Sequence, residues 1–506
     1  MSRGRLLWVG AVFALVLAGV GVGTPIGPSS VDPENRPVSV PYSAGCGPIV
    51  FGNDPTGARD FAILENGSFL HQSRSVNDFL TLLRRNRNYR YSWLGQIVSE
   101  IGDHFNTIAV FSLALETTGS GMVVSTIMLA RAVPMILAGP IAGVALDRMD
   151  RKKLMIVSDV VRGVVGAAFI WTVGSDDILP LYLFSGLLMF ASPFFTSGRT
   201  AILPTIASPE ELHTANSLTQ TTKYVSVTLG TLLGGVSAAS LGYEAAFLIN
   251  SASFFFSAAM IAMLRLEKGD FRPKRKALTE QDVARPWHEY VEGLRYLRGK
   301  PLMFGIALLH VGWATGGGAA QILFSLFGEV VFVRGASGIG MIWSAAGLGL
   351  LVGATYAHWL GKRVGFEAYK RVIAICHCVH GLSYVCFSQA PTFGWAMFFV
   401  GLSRAGVGVT SVLNQEQLLR HVGDEYRGRV YSTIESMTWG TMMLSLTAAG
   451  WASESFSPRT IGAWAGAFST VSGLIWALAN WRGKLPEPTV EGVDPEDIEV
   501  RSQPRM

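Results

Sequence analysis

The chain has 506 residues, of which 49% are apolar and 15% are charged, and it carries 57 glycines and a formal net charge of +5. Six uncharged runs are each close to, or longer than, the roughly 20 residues that cross a bilayer core; they cover 178–198, 224–243, 245–264, 301–328, 372–403 and 460–481. This pattern excludes a string of soluble domains and predicts an all-α, polytopic membrane protein that has the lipid bilayer as a partner. The positive charge follows the loops between the runs, and no nucleic-acid partner is predicted.

Residues 1–78 form an N-terminal extension. Arg3 and Arg5 precede an apolar segment at residues 6–23, a pattern typical of a signal peptide or of an extra apolar helix that spans the membrane. Export of the following segment would place the arginines at 84–90 outside the cell, against the charge distribution of the rest of the chain, unless the extra span runs with its N-terminus outside. A start codon assigned too early is the third interpretation, and all three stay open.

After residue 90 the apolar segments predict twelve transmembrane helices in two six-helix bundles. The first six cover about 93–115, 122–146, 154–174, 179–198, 222–242 and 244–264, and the second six cover about 302–326, 338–360, 370–388, 392–412, 430–452 and 459–480. The domains are therefore an N-terminal bundle (79–264), a cytoplasmic linker (265–301), a C-terminal bundle (302–480) and a cytoplasmic tail (481–506). Within the linker, Pro286 and the apolar residues at helical spacing from 287 to 297 predict an amphipathic helix on the cytoplasmic membrane face.

Lysine and arginine are distributed unequally on the two sides of the predicted spans. One set of loops and ends holds 32 of the 41, and the opposite loops hold two, Arg334 and Arg459. Since cytoplasmic loops carry the excess of positive charge, residues 74–90 and the C-terminus are predicted to be cytoplasmic.

The sequence GVALDRMDRKK, residues 143–153, stands where the second predicted span meets the cytoplasm. Gly139 and Gly143 are small enough to let helices approach, and Asp147 lies at the helix end. The basic residues of the loop are Arg148, Arg151, Lys152 and Lys153. An acid beside basic residues and helix ends can form an electrostatic contact that breaks and re-forms. A loop that only sets the topology is the alternative.

This loop resembles the signature motif of the major facilitator superfamily, with Asp150 at a position where the motif has glycine. A decayed copy begins at Gly353, 210 residues after Gly143, and has Ala357 in the place of the acid. A duplicated six-span unit is expected to repeat in this way. The resemblance implies the major facilitator fold and a gating role for Gly143, Asp147, Arg148, Arg151 and Lys152.

Three further segments, 82–105, 200–218 and 427–432, resemble the bacterial exporters that include enterobactin-type siderophore exporters and macrolide-efflux proteins. The fifth predicted span contains LGTLLGGVSA, residues 229–238, which is similar to the antiporter motif of drug exporters. Gly230, Gly234 and Gly235 are in place, and Thr231 occupies the proline position. The resemblance implies export, and a small-residue packing face is the alternative interpretation of the glycines.

The first predicted span carries a polar stripe. Glu100, Asp103, His104 and Thr107 are spaced i, i+3, i+4 and i+7, which places them on one helix face. Ionisable residues within a membrane are candidates for a functional site. From their depths we expect Asp103 to pair with Arg131 and Glu100 to pair with Arg162, with Asp159 as a competitor for either arginine. The stripe is a candidate for proton and substrate coupling, and purely structural ion pairs are the alternative.

In the second half, Arg404 and Glu435 are expected to form a similar pair near the cytoplasmic side. Cys376, His377, Cys378 and His380 cluster in the ninth predicted span, where structural thiols and hydrogen-bonded histidines are favoured over a metal site. No metal and no cofactor are predicted.

The chain has no phosphate-binding loop of the GxxxxGK[ST] type and no HExxH or GxSxG motif, so an ATP-driven motor and an enzyme are disfavoured. We expect a monomeric secondary transporter in the bacterial inner membrane that works by alternating access. Its substrate is a small amphipathic molecule of drug, macrolide or siderophore type, exported against an inward proton gradient. Uptake and a lipid-related substrate are the alternatives, and a transport-dead receptor and an intramembrane enzyme are more remote.

Overall fold

The computed structural model of the chain describes residues 76–266, 271–272, 286–361 and 363–488. The apolar segment at 6–23 lies outside the described residues. The three interpretations of the N-terminal extension therefore stay predictions.

All regular structure within the described residues is helical. The α-helices are α1 (Val76–Arg85), α2 (Arg87–Thr118), α3 (Gly121–Arg148), α4 (Arg151–Ala168), α5 (Leu179–Ile206), α6 (Pro209–Leu241), α7 (Tyr243–Ala262), α8 (Pro286–Gly299), α9 (Pro301–Leu326), α10 (Gly335–Gly361), α11 (Phe366–Gln389), α12 (Phe393–His421), α13 (Asp424–Ala452) and α14 (Pro458–Trp481). A 3₁₀ turn, Phe169–Thr172, follows α4, and a π-helical turn, Phe327–Val331, follows α9.

Ten of the described helices are long and apolar enough to cross a membrane, namely α3 to α7, α9 to α12 and α14. Helices α2 and α13 are 32 and 29 residues long and match the first and eleventh predicted spans, but neither is among the ten that contain a sufficiently apolar stretch of 18 residues. The all-helical, multi-span architecture is confirmed, and the count of twelve spans stays a prediction.

The described residues fall into two compact units. The smaller unit joins residues 76–90 to residues 203–220. In it the Asn86 side-chain amide donates to the carbonyl of Ile206 and to the carboxylate of Glu211, each at 2.8 Å. The Tyr89 hydroxyl donates to the carbonyl of Ala215 at 2.7 Å. Two of the segments that resemble bacterial exporters are thus held together by hydrogen bonds.

The larger unit contains residues 91–202 and 221–488. In it α10 packs along α12, α11 packs along α12 and α14, and α9 packs along α13 and α14. Gly353 of α10 lies so close to α12 that a Cβ atom there would stand 2.1 Å from the carbonyl oxygen of Ala405. Helices in lipid gain no hydrophobic energy by associating, so close backbone contacts of this kind supply the association.

Within the larger unit, helices of the two predicted bundles contact each other at the ends that the charge distribution assigns to the outside. Ser125, one turn into α3, donates to the carbonyl of Leu446 near the end of α13 at 3.0 Å. A Cβ atom on Gly450 would stand 2.4 Å from the Ser125 Cβ. The start of α3 and the end of α13 are therefore in close contact.

The linker helix α8 forms at the place that the sequence predicts, and it packs against the start of α13. Arg429 of α13 forms an ion pair of 3.1 Å with Glu292, and the Thr433 hydroxyl donates to the carbonyl of Tyr290 at 3.4 Å. Leu297 is fully buried. The helix thus attaches the linker to the second bundle.

Candidate functional site

Buried charges of α2 and α4 meet around one guanidinium group. Arg162 donates to Asp159 on its own helix, and its Nη1 lies 4.0 Å from the Oδ2 of Asp103 on α2. The side chains of Arg162 and Asp159 are 2% and 0% exposed, whereas that of Asp103 is 28% exposed. Arg162 therefore has a close carboxylate partner that is sealed off and a distant one that is partly accessible.

Two aromatic rings flank the same guanidinium. The Arg162 Cζ atom lies 4.7 Å from the ring centroid of Phe195 and 4.4 Å from that of Phe254. Cation–π contacts contribute about 2 kcal/mol when the groups are desolvated. The two rings therefore hold Arg162 in place independently of its carboxylate partners.

Asp103 retains an unused acceptor. Its Oδ1 is buried and accepts no hydrogen bond from the described residues. Buried polar atoms in proteins almost always have a partner, and an exception calls for an explanation. A proton can bind at this oxygen without displacing an existing hydrogen bond, and a protonated carboxyl group would itself become a donor.

The predicted pair of Asp103 with Arg131 is replaced by a different arrangement. Arg131 donates to the side chains of Asn106 and Thr107, at 3.3 Å and 3.0 Å, one turn along α2 from Asp103. Arg162 occupies the position beside Asp103 instead. Depth in the membrane is compatible with either arginine, and the direction in which each helix face points decides between them.

The predicted pair of Glu100 with Arg162 is wrong. Glu100 accepts from Gln96 at 2.9 Å and lies 3.5 Å from Arg199 of α5. The sequence interpretation missed Arg199 because it ended the fourth span at residue 198, whereas α5 continues to Ile206. Gly198 and Pro204 disfavour a helix that continues past residue 198, so the sequence has no clear signal for the longer α5.

The signature-motif loop has its basic residues on helix ends. Arg151 donates to the carbonyl of Ala201 at 2.9 Å, near the end of α5, and Lys152 donates to that of Leu264 at 2.8 Å, just after α7. Cations at helix C-termini are favourable. Asp150 accepts from the backbone amide of Lys153 at 3.1 Å and caps α4, which gives the departure from the motif a structural role.

The acidic part of the same loop has no such contact. Asp147 and Arg148 are exposed, and no ion pair joins either of them to another described residue. A Cβ atom on Gly139 or Gly143 would meet no atom within 4 Å. The expectation that these glycines allow a close helix approach is therefore wrong for this conformation, and the electrostatic contact predicted for Asp147 is not formed in it.

The three glycines of the antiporter-like motif lie at helix contacts. Cβ atoms on Gly230 and Gly234 would stand 2.9 Å from His104 and from Phe105 of α2, and one on Gly235 would stand 2.6 Å from the carbonyl oxygen of Ala336 of α10. Gly230 and Gly234 thus hold α6 against α2, which carries the polar stripe. Gly235 holds α6 against the second bundle.

A chain of side-chain contacts links the two predicted bundles at the same end as Ser125. Ser112 of α2 donates to Glu329 at 2.7 Å, and the Tyr243 hydroxyl lies 3.1 Å from that of Ser112. Tyr243 also donates to Glu116 at 2.5 Å. Glu329 belongs to the turn after α9, so this contact connects the first bundle to the second.

The expected pair of Arg404 and Glu435 is absent. Glu435 is exposed, and no carboxylate among the described residues pairs with Arg404. Nearby, His380 places its Nδ1 2.7 Å from the Ser403 hydroxyl, and Cys376 and Cys378 are free thiols.

Comparison with known proteins identifies the family. The sequence model of the Major Facilitator Superfamily matches residues 92–441. The MFS-type transporter YfiS of Bacillus subtilis (strain 168), itself uncharacterized, is 25% identical over 73% of this chain and 87% of its own length. Macrolide efflux protein A of Streptococcus pyogenes is 25% identical over 70% of this chain and 86% of its own length. The multidrug efflux pump Tap of Mycolicibacterium fortuitum is 29% identical over 41% of this chain and 51% of its own length.

Solved structures share the fold at lower identity. A bacterial homologue of the iron transporter ferroportin, in an inward-facing state, has a TM-score of 0.61 at 16% identity and covers 79% of this chain and 99% of its own. A bacterial homologue of the human lysosomal transporter Spinster has a TM-score of 0.60 at 14% identity and covers 80% of this chain and 99% of its own. On the family match, this chain belongs to the Major Facilitator Superfamily and is a multi-pass membrane transporter, not an enzyme.

Proposed function

We propose that this transporter exports a small amphipathic molecule and that an inward flow of protons drives the export. The observation that carries the proposal is the pair of carboxylates on Arg162, one sealed and one partly accessible. Titratable groups inside a membrane protein are costly and mark substrate or proton pathways. The curated relatives named as macrolide and multidrug efflux proteins support export.

Asp103 is the proton acceptor in this proposal, and Asp159 is the permanent partner of Arg162. A proton on Asp103 neutralises a carboxylate that lies 4.0 Å from the guanidinium and has a free oxygen. Asp159 also has an oxygen, Oδ2, that accepts no hydrogen bond from the described residues, but a proton there would weaken the closer ion pair in a fully buried position. Protonation of Asp103 therefore costs less, and Arg162 stays paired throughout.

The export cycle follows from this difference. An outside proton binds Asp103 and weakens its attraction to Arg162, which changes the packing of α2 against α4. The bundles then rock about the central site, and the proton leaves to the cytoplasm while the substrate leaves to the outside. The contacts of Ser125 and Ser112 with the second bundle close the outer end in one state of this cycle.

The proposal includes the location and the assembly of the protein. The transporter lies in the bacterial inner membrane as a monomer with its C-terminus in the cytoplasm, in agreement with the uneven distribution of lysine and arginine. The linker helix and the smaller unit are cytoplasmic in this orientation. Uptake of the same class of substrate, or a lipid-related substrate, is the alternative.

The test measures accumulation of norfloxacin and of ethidium in efflux-deficient cells that express the full chain, with and without a protonophore. We expect exclusion of at least one probe that the protonophore abolishes and that Asp103→Asn loses at equal expression. Asp176→Asn, which changes an exposed acid, is the matched control and should behave as the wild type. Exclusion that persists with the protonophore, or in Asp103→Asn, would contradict proton-driven export through Asp103.

A further inference from the structure

A buried arginine of the second half has no counter-charge among the described residues. Arg404 of α12 is 7% exposed, and its Cζ lies 5.3 Å from the ring centroid of Phe324. No described residue forms an ion pair or a hydrogen bond with its guanidinium. A buried charge that lacks a partner is strongly destabilising. Its presence in the core of a bundle therefore calls for a ligand in some state of the protein.

A second unused donor faces the same place. Arg404 and Tyr384 line a narrow, closed cleft together with His380. Tyr384 is 2% exposed, and its hydroxyl has no hydrogen-bond partner among the described residues. A guanidinium and a phenol that both lack acceptors form a pair of donors. Donors of this kind bind an anion.

The shape of the cleft narrows the choice of anion. The wall that faces the donors is formed by Gly316, Gly317 and Ala320 of α9 and by Ser469 of α14, so it offers backbone and small side chains. In this conformation the cleft is too narrow for a water molecule. After a small separation of the helices the lining leaves room for a small anion beside the two donors, and a carboxylate matches the guanidinium with two parallel hydrogen bonds.

We propose that the transported molecule carries a carboxylate, which Arg404 and Tyr384 bind in this cleft between α9, α11 and α12. The assignment rests on the transport function of the chain and names the substrate class. It depends neither on the direction of transport nor on proton coupling. The remainder of the substrate lies outside the cleft, because the cleft admits the anionic group only after the helices separate.

The test uses the purified full chain in nanodiscs and two probes that differ only in charge, 3-phenylpropanoate and 3-phenylpropanamide. Binding is measured by isothermal titration without any gradient. A hydrogen-bonded charge makes the carboxylate probe about tenfold to a hundredfold tighter than the amide. Arg404→Gln should remove this preference, Arg404→Lys should retain part of it, and Tyr384→Phe should weaken carboxylate binding several-fold. Arg482→Gln, which removes the same charge from an exposed position, should retain the full preference.

Three results would overturn the assignment: equal affinity for the two probes, no binding of the carboxylate to the wild type, or a preference that survives Arg404→Gln. Tyr384→Phe keeps the test decisive if Arg404→Gln does not yield folded protein. Asp103→Asn serves as the cross-check, because it should lose proton coupling and keep the carboxylate preference. A failure of proton-driven export is thereby separated from a failure of the anion site.

Discussion

The two halves of the chain each bury an arginine against aromatic rings, but they neutralise it differently. Arg162 lies between two phenylalanine rings and has Asp159 and Asp103 as partners. Arg404 lies over one ring and has no carboxylate partner among the described residues. The first half thus contains one cation with two carboxylates, a group that can gain a proton. The second half contains an unbalanced cation that can gain an anion.

This difference suggests a division of labour between the bundles. In a duplicated fold the halves start as equivalent units, and the same asymmetry exists in the signature motif, which is complete at Asp147 and decayed at Ala357. Binding of a proton in the first half and of a carboxylate in the second half would change the conformation of the two halves one after the other. Variants of the two halves can test this division of labour.

Removal of each arginine should have opposite effects on stability. Arg162→Gln leaves the fully buried Asp159 and the partly accessible Asp103 without their nearest cation and should destabilise the protein by about 3–5 kcal/mol. Arg404→Gln removes a buried charge that has no partner, so stability should stay the same or increase. Thermal unfolding of the purified variants in nanodiscs without substrate measures both. An equal loss in the two variants would show that Arg404 has a structural counter-charge.

The two carboxylates that face Arg162 should also differ in how much they stabilise the protein. Asp159→Asn removes the closer, fully buried partner of Arg162 and should cost about 3 kcal/mol. Asp103→Asn removes a partner at 4.0 Å that is 28% exposed, and the loss should be under about 1 kcal/mol. The same unfolding experiment compares them. A larger loss in Asp103→Asn would remove the distinction between a structural and a titrating carboxylate.

The contact between α6 and the second bundle can be tested with alanine substitutions at two glycines. Gly235→Ala forces a methyl group to 2.6 Å from the Ala336 carbonyl and should destabilise this conformation by about 1–3 kcal/mol. Gly143→Ala meets no atom within 4 Å and is the matched control. Hydrogen exchange of the start of α10 should increase in the first variant only. An increase in both would assign the effect to helix flexibility.

The smallest expected effect concerns the outer contact of Ser112. Ser112→Ala removes the 2.7 Å hydrogen bond to Glu329 and should cost about 1 kcal/mol. Faster hydrogen exchange at Phe327–Val331 would report the loss. Thr447→Ala, which removes an exposed hydroxyl that bonds within its own helix, is the control. Unchanged exchange in Ser112→Ala would mean that this bond does not hold the outer ends together.

The sequence predicted the helices and the polar stripe well, because spans and stripes depend on local composition and on helical period. It paired Asp103 with Arg131 and Glu100 with Arg162, and it named Asp159 as a competitor for either arginine. The pairing of Glu100 with Arg162 failed, because depth in the membrane is one coordinate and the choice between neighbours needs the rotation of each helix. Arg199 was missed because the end of α5 was placed two turns too early.

The surroundings of Arg404 in the second half could not be predicted for a related reason. Arg404 and Glu435 lie at compatible positions along their helices, yet Glu435 is exposed. The roles of Gly234 and Gly235 also needed the structure, since a small residue in the sequence does not name the surface that it contacts. Gly143 belongs to the signature motif, yet a Cβ atom there would meet no atom within 4 Å in this conformation. A glycine in a motif therefore does not by itself indicate a helix contact.

The most direct test of the central claim is the infrared difference spectrum of the purified protein between acidic and neutral pH. A protonated carboxylic acid has a carbonyl stretch that a carboxylate lacks, so the acidic spectrum of the wild type should contain a band from Asp103. With the acidic sample held at about pH 6, where exposed carboxylates stay ionised, this band should disappear in Asp103→Asn and remain in Asp176→Asn. A band that persists in Asp103→Asn would show that another group takes the proton and would contradict the account.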